Sequence, residues 1–236
     1  MTTYKPLTEI GVKHGTDKAY FHLFTEFYND YFELFKNKPI NILEIGIFEG
    51  KSILMLKEFF PLATIYAIDI NPSRVNLKLG DNIHNYLCSQ DDCEKLKLLF
   101  NNIKFDIIID DGSHMTSHQQ ISLGFMFPYL NKKGIYICED LHTSYTSNYI
   151  DTDVTTLKIL ETYCQDKKIS CDIINIEQLD YLNNNIDNVF IYERNMNAIS
   201  CWSCKQENIS NNDNCLHCNT NLSPSTKSIT SILIHK

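Results

Sequence analysis

Short apolar runs rich in β-branched residues alternate with helical patterns from about residue 40 to residue 193. The runs are INILEIG (40–46), TIYAIDI (64–70), RVNLKLG (74–80), FDIIIDD (105–111), GIYICED (134–140) and NVFIYER (188–194). Between them, SILMLKEFF, DDCEKLKLLF, SHQQISLGFMFPYL and DVTTLKILETYC place apolar residues at helical spacing. Continuous apolar strands separated by helices predict a Rossmann-like α/β fold, with a mostly parallel sheet covered on both faces.

The two ends of the chain complete this sheet. SITSILIHK (228–236) predicts a last strand, and we expect it to form an antiparallel hairpin with 188–194 in a seven-stranded sheet. Residues 19–36 predict one aromatic amphipathic helix. The polar segment 195–227 interrupts the hairpin. We therefore divide the chain into an N-terminal helical segment or lid (1–38), a core (39–194), an insertion (195–227) and the last core strand (228–236).

A glycine-containing loop follows the first predicted strand. Glu44, Gly46, Gly50 and Ser52 lie in this loop and at the start of the next helix. The glycines permit a tight turn and a close approach of a ligand, and the helix N-terminus offers unpaired N–H groups. The spacing differs from the G-x-G-x-x-G pattern of dinucleotide sites. The acid before the first glycine favours an ammonium group over a phosphate.

Two more loops extend this site. Asp69 ends the second predicted strand, where a carboxylate can bind a ribose diol. Asp81 and Asn82 follow the third predicted strand, where an adenine ring would lie. Together these residues suit S-adenosylmethionine (SAM), with its amino-acid end beside Glu44. The alternative is that the glycines only turn the chain and that Asp69 only caps a loop.

Acidic residues and histidines cluster after the fourth and fifth predicted strands. They are Asp110, Asp111 and His114 after the fourth, and Glu139, Asp140 and His142 after the fifth. Neighbouring strands of such a sheet end at one edge, where ligands bind. Four carboxylates would repel one another there without a cation, and oxygen ligands suit Mg²⁺. We predict that Asp111, Glu139 and Asp140 bind Mg²⁺.

Methyl transfer to a hydroxyl is the chemistry that this cluster favours. Two adjacent hydroxyls of an acceptor would chelate the Mg²⁺, which lowers their pKa. His114 is the natural base, and Asp111 is the second predicted catalytic residue. His142 and Tyr145 are candidate substrate contacts, although His142 could instead pack within its loop. Asp110 could equally cap the next helix or orient its neighbours.

Composition and charge narrow the choice of partners. The 236 residues include 43% hydrophobic ones, and 29 acidic against 21 basic residues give a net charge of −8. This charge argues against general binding to a phosphate backbone. No apolar run approaches the ~20 residues that span a bilayer, and the N-terminus lacks the apolar core of a signal peptide. We therefore expect a cytoplasmic protein with no membrane partner.

Four of the nine cysteines form two C-x-x-C pairs in the insertion. Cys201 and Cys204 are the first pair, and Cys215 and Cys218 are the second. Each pair can present two thiolates to one tetrahedral Zn²⁺. Because the residues between the pairs cannot build a core, the metal would supply the folding energy. We predict one structural Zn²⁺; unpaired or disulfide-linked hairpins are the alternative, which an intracellular location disfavours.

Several segments resemble a known enzyme family. ILEIGIFEGKSILMLKEFFP, IYAIDI, FDIIIDDGSH, YICEDLHTSY and HGTDKAYFHLFTEFY are similar to segments of the bacterial SAM- and Mg²⁺-dependent sugar O-methyltransferases. These enzymes methylate deoxysugars on macrolide and tetracenomycin antibiotics, and the cephalosporin-hydroxylase-like methyltransferases are their relatives. The resemblance covers roughly residues 11–193 and the final strand. If the N-terminal helix covers the site, Lys18 and His22 would reach it.

The resemblance implies a class I methyltransferase fold and methylation of a sugar hydroxyl. The family's metal ligands fall on Asp111, Glu139 and Asp140, and its proposed base falls on His114. We expect a small-molecule or glycan acceptor with vicinal hydroxyls. A catechol-like diol, a nucleic acid read by the zinc insertion, and an interaction module without turnover stay open as alternatives. The sequence also leaves open a homo-oligomer.

Overall fold

Helices and strands alternate along most of the chain, of which the computed structural model describes residues 4–195, 198–200, 204, 206–209, 214–220 and 227–236. The α-helices within these residues are α1 (Pro6–His14), α2 (Asp17–Tyr20), α3 (Phe24–Phe32), α4 (Lys51–Phe59), α5 (Pro72–Val75), α6 (Cys93–Phe100), α7 (Thr116–Met126), α8 (Thr156–Asp166) and α9 (Ile176–Asn185). The strands are β1 (Asn41–Ile45), β2 (Thr64–Asp69), β3 (Ile83–Leu87), β4 (Phe105–Asp110), β5 (Leu130–Cys138), β6 (Ile186–Asn195), β7 (Ala198–Ser200), β8 (Glu207–Ile209) and β9 (Lys227–His235). Short 3₁₀ helices lie at Phe127–Tyr129, Leu141–Tyr145 and Ser147–Tyr149.

Seven strands form one sheet in the order β3-β2-β1-β4-β5-β9-β6. The strands from β1 to β5 pair in parallel, whereas β9 is antiparallel to both β5 and β6. This arrangement confirms the predicted seven-stranded, mostly parallel sheet with its C-terminal antiparallel hairpin. Within the hairpin, β9 lies inside the sheet and β6 forms its edge.

Both faces of the sheet are buried, which explains the unbroken apolar runs of its strands. On one face, Leu43 and Ile108 belong to a cluster that includes Leu160 of α8. On the other face, Ile42 packs in a second cluster with Leu56 of α4. Successive residues of β1 thus face opposite layers of helices, as the pleat of a strand requires.

The third strand differs from its prediction. β3 lies at Ile83–Leu87, and the strand predicted at 74–80 is wrong. The side chain of Asn71 accepts a hydrogen bond from Ser73 N, and Pro72 begins α5. Both are typical of a helix start. A short helix therefore begins where the sequence pattern predicted an early strand, and β3 comes later.

The helices differ from their predictions mainly at the N-terminus. The single helix predicted at 19–36 is divided into α2 and α3, because Leu23 adopts a left-handed conformation (φ 54°) between them. α1 lies within the predicted helical segment 1–38, although no separate helix was predicted there, and α9 was not predicted. Among the residues that the structure describes, no helix has the length and apolar character that crossing a bilayer requires.

The insertion leaves and rejoins the core at paired positions. Asn195 at the end of β6 pairs with Lys227 at the start of β9. Because β5 and β6 are both antiparallel to β9, β6 ends at the same edge of the sheet as β1, β4 and β5. Within the insertion, β7 and β8 pair in antiparallel fashion.

Candidate active site

A cavity of about 740 Å³ lies at the carboxyl ends of the central strands. Its walls include the loop after β1, the end of β2, and the loops after β3, β4 and β5. The strand order reverses between β1 and β4, and this switch point is where open α/β sheets bind ligands. Residues 15–18 and Tyr20 of the N-terminal segment also line the cavity.

Glu44 is a buried carboxylate at the start of this cavity. Its side chain is 1% exposed, and Oε1 accepts a hydrogen bond from Ser52 Oγ at 2.5 Å. Its second oxygen, Oε2, is buried without a hydrogen-bond partner. Burial raises the pKa of Glu44 to about 7, although Lys18 and Ser52 act in the opposite direction. An ammonium group bound here would satisfy the open oxygen.

The loop after β1 requires glycine at Gly46. Gly46 has φ 96°, and a Cβ at this position would lie 2.2 Å from the carbonyl oxygen of Asp111. The loops after β1 and β4 therefore approach each other at backbone distance. Gly50 has φ 72° and precedes α4, and a Cβ there would meet the side chain of Leu79. Any larger residue at Gly46 would separate the two loops.

Asp69 holds the same loop from the end of β2. Its Oδ2 accepts hydrogen bonds from Ile47 N at 2.9 Å and Phe48 N at 3.3 Å, and its Oδ1 accepts one from Asn71 N at 2.8 Å. The carboxylate lines the cavity, as predicted for a ribose ligand. In the structure, however, three backbone N–H groups are its hydrogen-bond partners. Asp69 therefore also fixes the conformation of the glycine loop.

The structure does not bring Asp81 and Asn82 to the cavity. Both residues are exposed and precede β3, so they lie at the opposite edge of the sheet from the cavity. The displacement of the third strand is the reason. The segment that follows β3, Cys88–Gln90, lines the cavity at the position predicted for Asp81 and Asn82.

Lys18 joins acids from three strand ends. Its Nζ donates hydrogen bonds to Asp111 Oδ2 and to Glu139 Oε2, the latter at 2.7 Å, and it lies 3.7 Å from Glu44 Oε1. Burial alone would lower the pKa of Lys18, but Asp111, Glu139 and Glu44 together raise it well above its usual value. The predicted approach of Lys18 to the acidic cluster is thus present.

Asp140 lies among three histidines. His22, His114 and His142 place ring nitrogens 3.9, 3.6 and 3.9 Å from its carboxylate oxygens. Burial acts to raise the pKa of Asp140, but these histidines lower it to about 2. Asp140 (φ 53°) and His114 (φ 61°) both adopt the left-handed conformation, which is uncommon outside glycine. Such strain is often found at functional sites.

Asp110 is held by hydrogen bonds from neighbouring side chains. Its side chain is buried and accepts hydrogen bonds from Gln90 Nε2 at 2.9 Å, from Tyr136 OH at 3.1 Å and from Ser122 Oγ. Gln90 also accepts a hydrogen bond from Ser113 N at 2.7 Å. This network orients the loop after β4. These contacts therefore favour the alternative in which Asp110 orients its neighbours.

A metal ion fits the remaining donors. The ligand atoms of Asp111, His114 and Asp140 lie within 4.8 Å of one another. Glu139 Oε1 and Asp140 Oδ1 are buried and have no hydrogen-bond partner. Buried carboxylate oxygens without a partner are costly, and a hard divalent cation would satisfy them. Of the three predicted ligands, Glu139 accepts a hydrogen bond from Lys18 through Oε2. His114, which was predicted as the base, lies beside Asp140.

The predicted acceptor contacts differ in their surroundings. His142 is mostly buried near Asp140, and burial lowers its pKa. Tyr145 is 58% exposed, ends the 3₁₀ helix after β5 and is outside the cavity lining. His118 lines the cavity and has a hydrogen bond to Ser113 Oγ at 2.8 Å. The structure thus places His142 next to Asp140, whereas Tyr145 lies outside the cavity lining.

No family model matches the chain. In sequence, the chain is 35% identical over 155 residues to the 8-demethyl-8-(2-methoxy-α-L-rhamnosyl)-tetracenomycin-C 3′-O-methyltransferase of Streptomyces olivaceus, covering 61% of this chain and 38% of that protein. It is 33% identical over 154 residues to the mycinamicin VI 2″-O-methyltransferase of Micromonospora griseorubida, covering 59% of this chain and 37% of that protein. The chain therefore matches well under half the length of these relatives.

A solved structure of the MycE methyltransferase from mycinamycin biosynthesis, in complex with Mg, SAH and mycinamycin VI, has a similar fold. The TM-score is 0.67 at 28% identity, and the match covers 80% of this chain and 52% of that chain. The chain resembles the deoxysugar O-methyltransferases. The predicted resemblance and the class I methyltransferase fold are thus confirmed.

Three cysteines lie close together in the insertion, which is outside the segments that carry the resemblance. The Sγ atoms of Cys204, Cys215 and Cys218 lie within 4.8 Å of one another, and those of Cys204 and Cys215 are 3.6 Å apart. His217 N donates a hydrogen bond to Cys215 Sγ at 3.4 Å. The predicted fourth ligand, Cys201, lies outside the described residues.

Proposed function

We propose that this chain is a SAM-dependent O-methyltransferase that acts on a sugar hydroxyl with the help of Mg²⁺. The observation that carries the proposal is one cavity in which two sets of residues lie side by side. Glu44 and the glycine loop form its donor end, and Asp111, His114 and Asp140 form its acceptor end, which adjoins the donor end where Asp111 O lies against Gly46. A methyl donor bound at the donor end would lie next to an acceptor oxygen at the acceptor end. The similarity to deoxysugar O-methyltransferases supports this assignment.

At the donor end, the residues favour a cationic amino acid with an attached nucleoside. The open Oε2 of Glu44 suits the ammonium group of SAM, and the close backbone approach at Gly46 leaves room for its amino-acid moiety. Asp69 lies where the ribose would bind. Cys88–Gln90 lie where the adenine ring would bind.

At the acceptor end, Asp111, Glu139 and Asp140 would hold Mg²⁺. When bound, this ion lowers the pKa of a hydroxyl and fixes two adjacent oxygens of a diol. His114 is placed to accept the proton of the attacking hydroxyl, because its ring lies beside Asp140 and its Nδ1 has no hydrogen-bond partner. The Asp140 carboxylate then stabilises the imidazolium that forms.

The test combines binding with turnover. Calorimetry should show that the protein binds S-adenosylhomocysteine (SAH), and labelled SAM should transfer its methyl group to a sugar acceptor only with Mg²⁺. The acceptor panel contains nucleotide-sugars, free glycans, rhamnosylated aromatic polyketides and a catechol. Asp111→Ala and His114→Ala should each lower turnover at least ~100-fold while retaining SAH binding. Asp153→Ala and His84→Ala alter exposed residues and serve as matched controls.

Each part of the proposal can fail separately. No SAH binding would reject the methyltransferase assignment. Full turnover in a metal chelator would reject the Mg²⁺ site, and full turnover by His114→Ala would reject its role as base. Methylation of the catechol in preference to every sugar would reject the acceptor class alone.

We also propose that Cys201, Cys204, Cys215 and Cys218 bind one structural Zn²⁺. The proximity of three of the four sulfur atoms supports this proposal. The hydrogen bond that His217 N–H donates to Cys215 Sγ supports it as well, because such hydrogen bonds stabilise thiolates. Asn219 adopts a left-handed conformation (φ 59°) directly after Cys218, which turns the chain after the second pair.

Elemental analysis should find one zinc per chain, and Co²⁺ substitution should give the absorption bands of a tetrahedral thiolate site. Cys204→Ser and Cys215→Ser should abolish both signals. Cys164→Ser is the matched control, because Cys164 is an exposed thiol outside the insertion. Zinc retained in both insertion variants would reject the proposal.

A further inference from the structure

Lys18 is a buried lysine that contacts proposed metal ligands. Its side chain is 2% exposed, and lysine is rarely buried unless it is paired. An ammonium group has three N–H donors. Two of them are directed at the carboxylates of Asp111 and Glu139. Lys18 comes from α2, so the N-terminal segment supplies a cation to acids that the sheet supplies.

These hydrogen bonds divide the oxygens of each carboxylate. Asp111 gives Oδ2 and Glu139 gives Oε2 to the ammonium group. The other oxygen of Glu139, Oε1, is buried and has no hydrogen-bond partner. A carboxylate binds a metal ion through one oxygen or through both. With one oxygen committed to Lys18, the mode that uses a single oxygen is favoured.

The number of ligand oxygens decides how many positions a metal ion keeps for other groups. Mg²⁺ has near-octahedral coordination and usually keeps several waters, which substrate oxygens can replace. We infer that Lys18 is a positioning residue that limits Asp111 and Glu139 to one ligand oxygen each, and so keeps coordination positions open for the acceptor. This inference rests on the proposed function, in which the acceptor oxygens need those positions.

The positive charge of Lys18 predicts that its removal changes metal affinity in the direction opposite to the loss of a residue that only supports the fold. The ammonium group lies among the ligand acids and repels a divalent cation. If it is removed, the acids gain free oxygens and the repulsion disappears, so the metal ion should bind more tightly and keep fewer waters. A residue that only supported the fold would weaken metal binding when it was lost.

The experiment uses Mn²⁺ as the probe on the full chain saturated with SAH. Electron paramagnetic resonance of free Mn²⁺ gives the affinity, and water-proton relaxation reports the waters on the bound ion. Lys18→Met and Lys18→Gln should each bind Mn²⁺ at least about threefold more tightly, with a lower relaxation enhancement per bound ion. Lys13→Met is the matched control, because Lys13 pairs with Glu58 at the surface, and it should change neither value.

Lys18→Arg keeps the charge and should bind Mn²⁺ within about threefold of the unaltered chain. Weaker or unchanged Mn²⁺ affinity in the Gln variant, or an Arg variant as tight as the Gln variant, would overturn the inference. The polar Gln variant makes the test independent of whether Lys18→Met folds. Failure of the unaltered chain to bind both SAH and Mn²⁺ would instead overturn the proposed function.

Discussion

Two glycines share a left-handed backbone but differ in their surroundings. Gly15 has φ 72° with no atom within 4 Å of where a Cβ would lie, whereas a Cβ on Gly46 would meet Asp111 O at 2.2 Å. Gly15→Ala should therefore cost only the strain of the backbone, ~1–2 kcal/mol. Gly46→Ala should cost at least ~2 kcal/mol more, because the loops after β1 and β4 must separate. Urea unfolding of both variants measures the difference, and equal costs would show that the close approach is absent.

The raised pKa of Glu44 predicts that SAH binding at the proposed donor end depends on pH. Its pKa of about 7 means that the carboxyl is mostly protonated at pH 5.5 and mostly ionised at pH 7.5. In the proposed complex the ammonium group of SAH pairs only with the ionised form, so the affinity for SAH should rise about 25-fold between these pH values. Calorimetric titration at both values tests this. Glu44→Gln should bind weakly at both, and Glu49→Gln, which alters an exposed acid of the same cavity, should keep the rise.

Single residues of the acidic cluster could be predicted because each follows a buried strand. Asp111, His114 and Asp140 come together for that reason alone. The hydrogen bonds of Lys18 join residues 93 and 121 positions apart, and no local pattern encodes such a pair. The prediction for Asp81 is wrong because it depended on where β3 ends. Chemistry at strand ends is therefore readable from sequence patterns, whereas the approach of Lys18, which lies outside the sheet, was indicated only by the resemblance to a known family.

At the scale of elements, a loop residue caps the helix that begins beside the acids. Asp151 accepts hydrogen bonds from Ser117 N at 2.8 Å and from Thr116 Oγ1 at 2.8 Å, at the start of α7. The side chain of Met115, at the N-cap position, makes no such bond. Asp151 thus does the work of an N-cap and holds the loop after β5 against α7.

Asp151→Ala should lower the free energy of unfolding by ~1–2 kcal/mol, as for the loss of an N-cap. Amide hydrogen exchange should become faster in residues 147–152, while SAH affinity stays the same, because the donor end of the cavity is formed by other loops. Asp153→Ala changes an exposed acid two positions away and should cost less than ~0.5 kcal/mol. Equal effects of the two substitutions would contradict the capping role.

Elements with long, regular patterns were predictable, and elements started by local side-chain bonds were not. The apolar runs of β1, β2, β4 and β5 appear where the pattern placed them. The run at 74–80 alternates polar and apolar residues, which also predicted a strand, but the capped start of α5 lies there instead. Likewise, a single left-handed residue, Leu23, divides the N-terminal helical pattern. Short-range geometry of this kind is decided by packing against the core rather than by periodicity.

At the scale of the whole molecule, the sheet closes without the insertion. The hairpin of β6 and β9 is paired from Ile186 and His235 to Asn195 and Lys227. Its residues Ile229 and Leu233 are buried in the core. The insertion begins only after the last of these pairs. The core should therefore fold around the hairpin, with the insertion as an addition at the edge where the acids lie.

Replacing residues 196–226 by an Asn-Gly turn tests this division, because such a turn connects paired antiparallel strands. The shortened chain should unfold within about 1 kcal/mol of the full chain, since shortening a loop changes its closure entropy only slowly. SAH affinity should change less than about threefold, because the cavity is lined by residues before the insertion. Cys204→Ser, which keeps the insertion but removes a thiolate, is the matched control. The division would be contradicted if the shortened chain failed to fold or to bind SAH while the Cys204→Ser variant folded and bound SAH. That result would show that the insertion stabilises the sheet directly rather than through its metal.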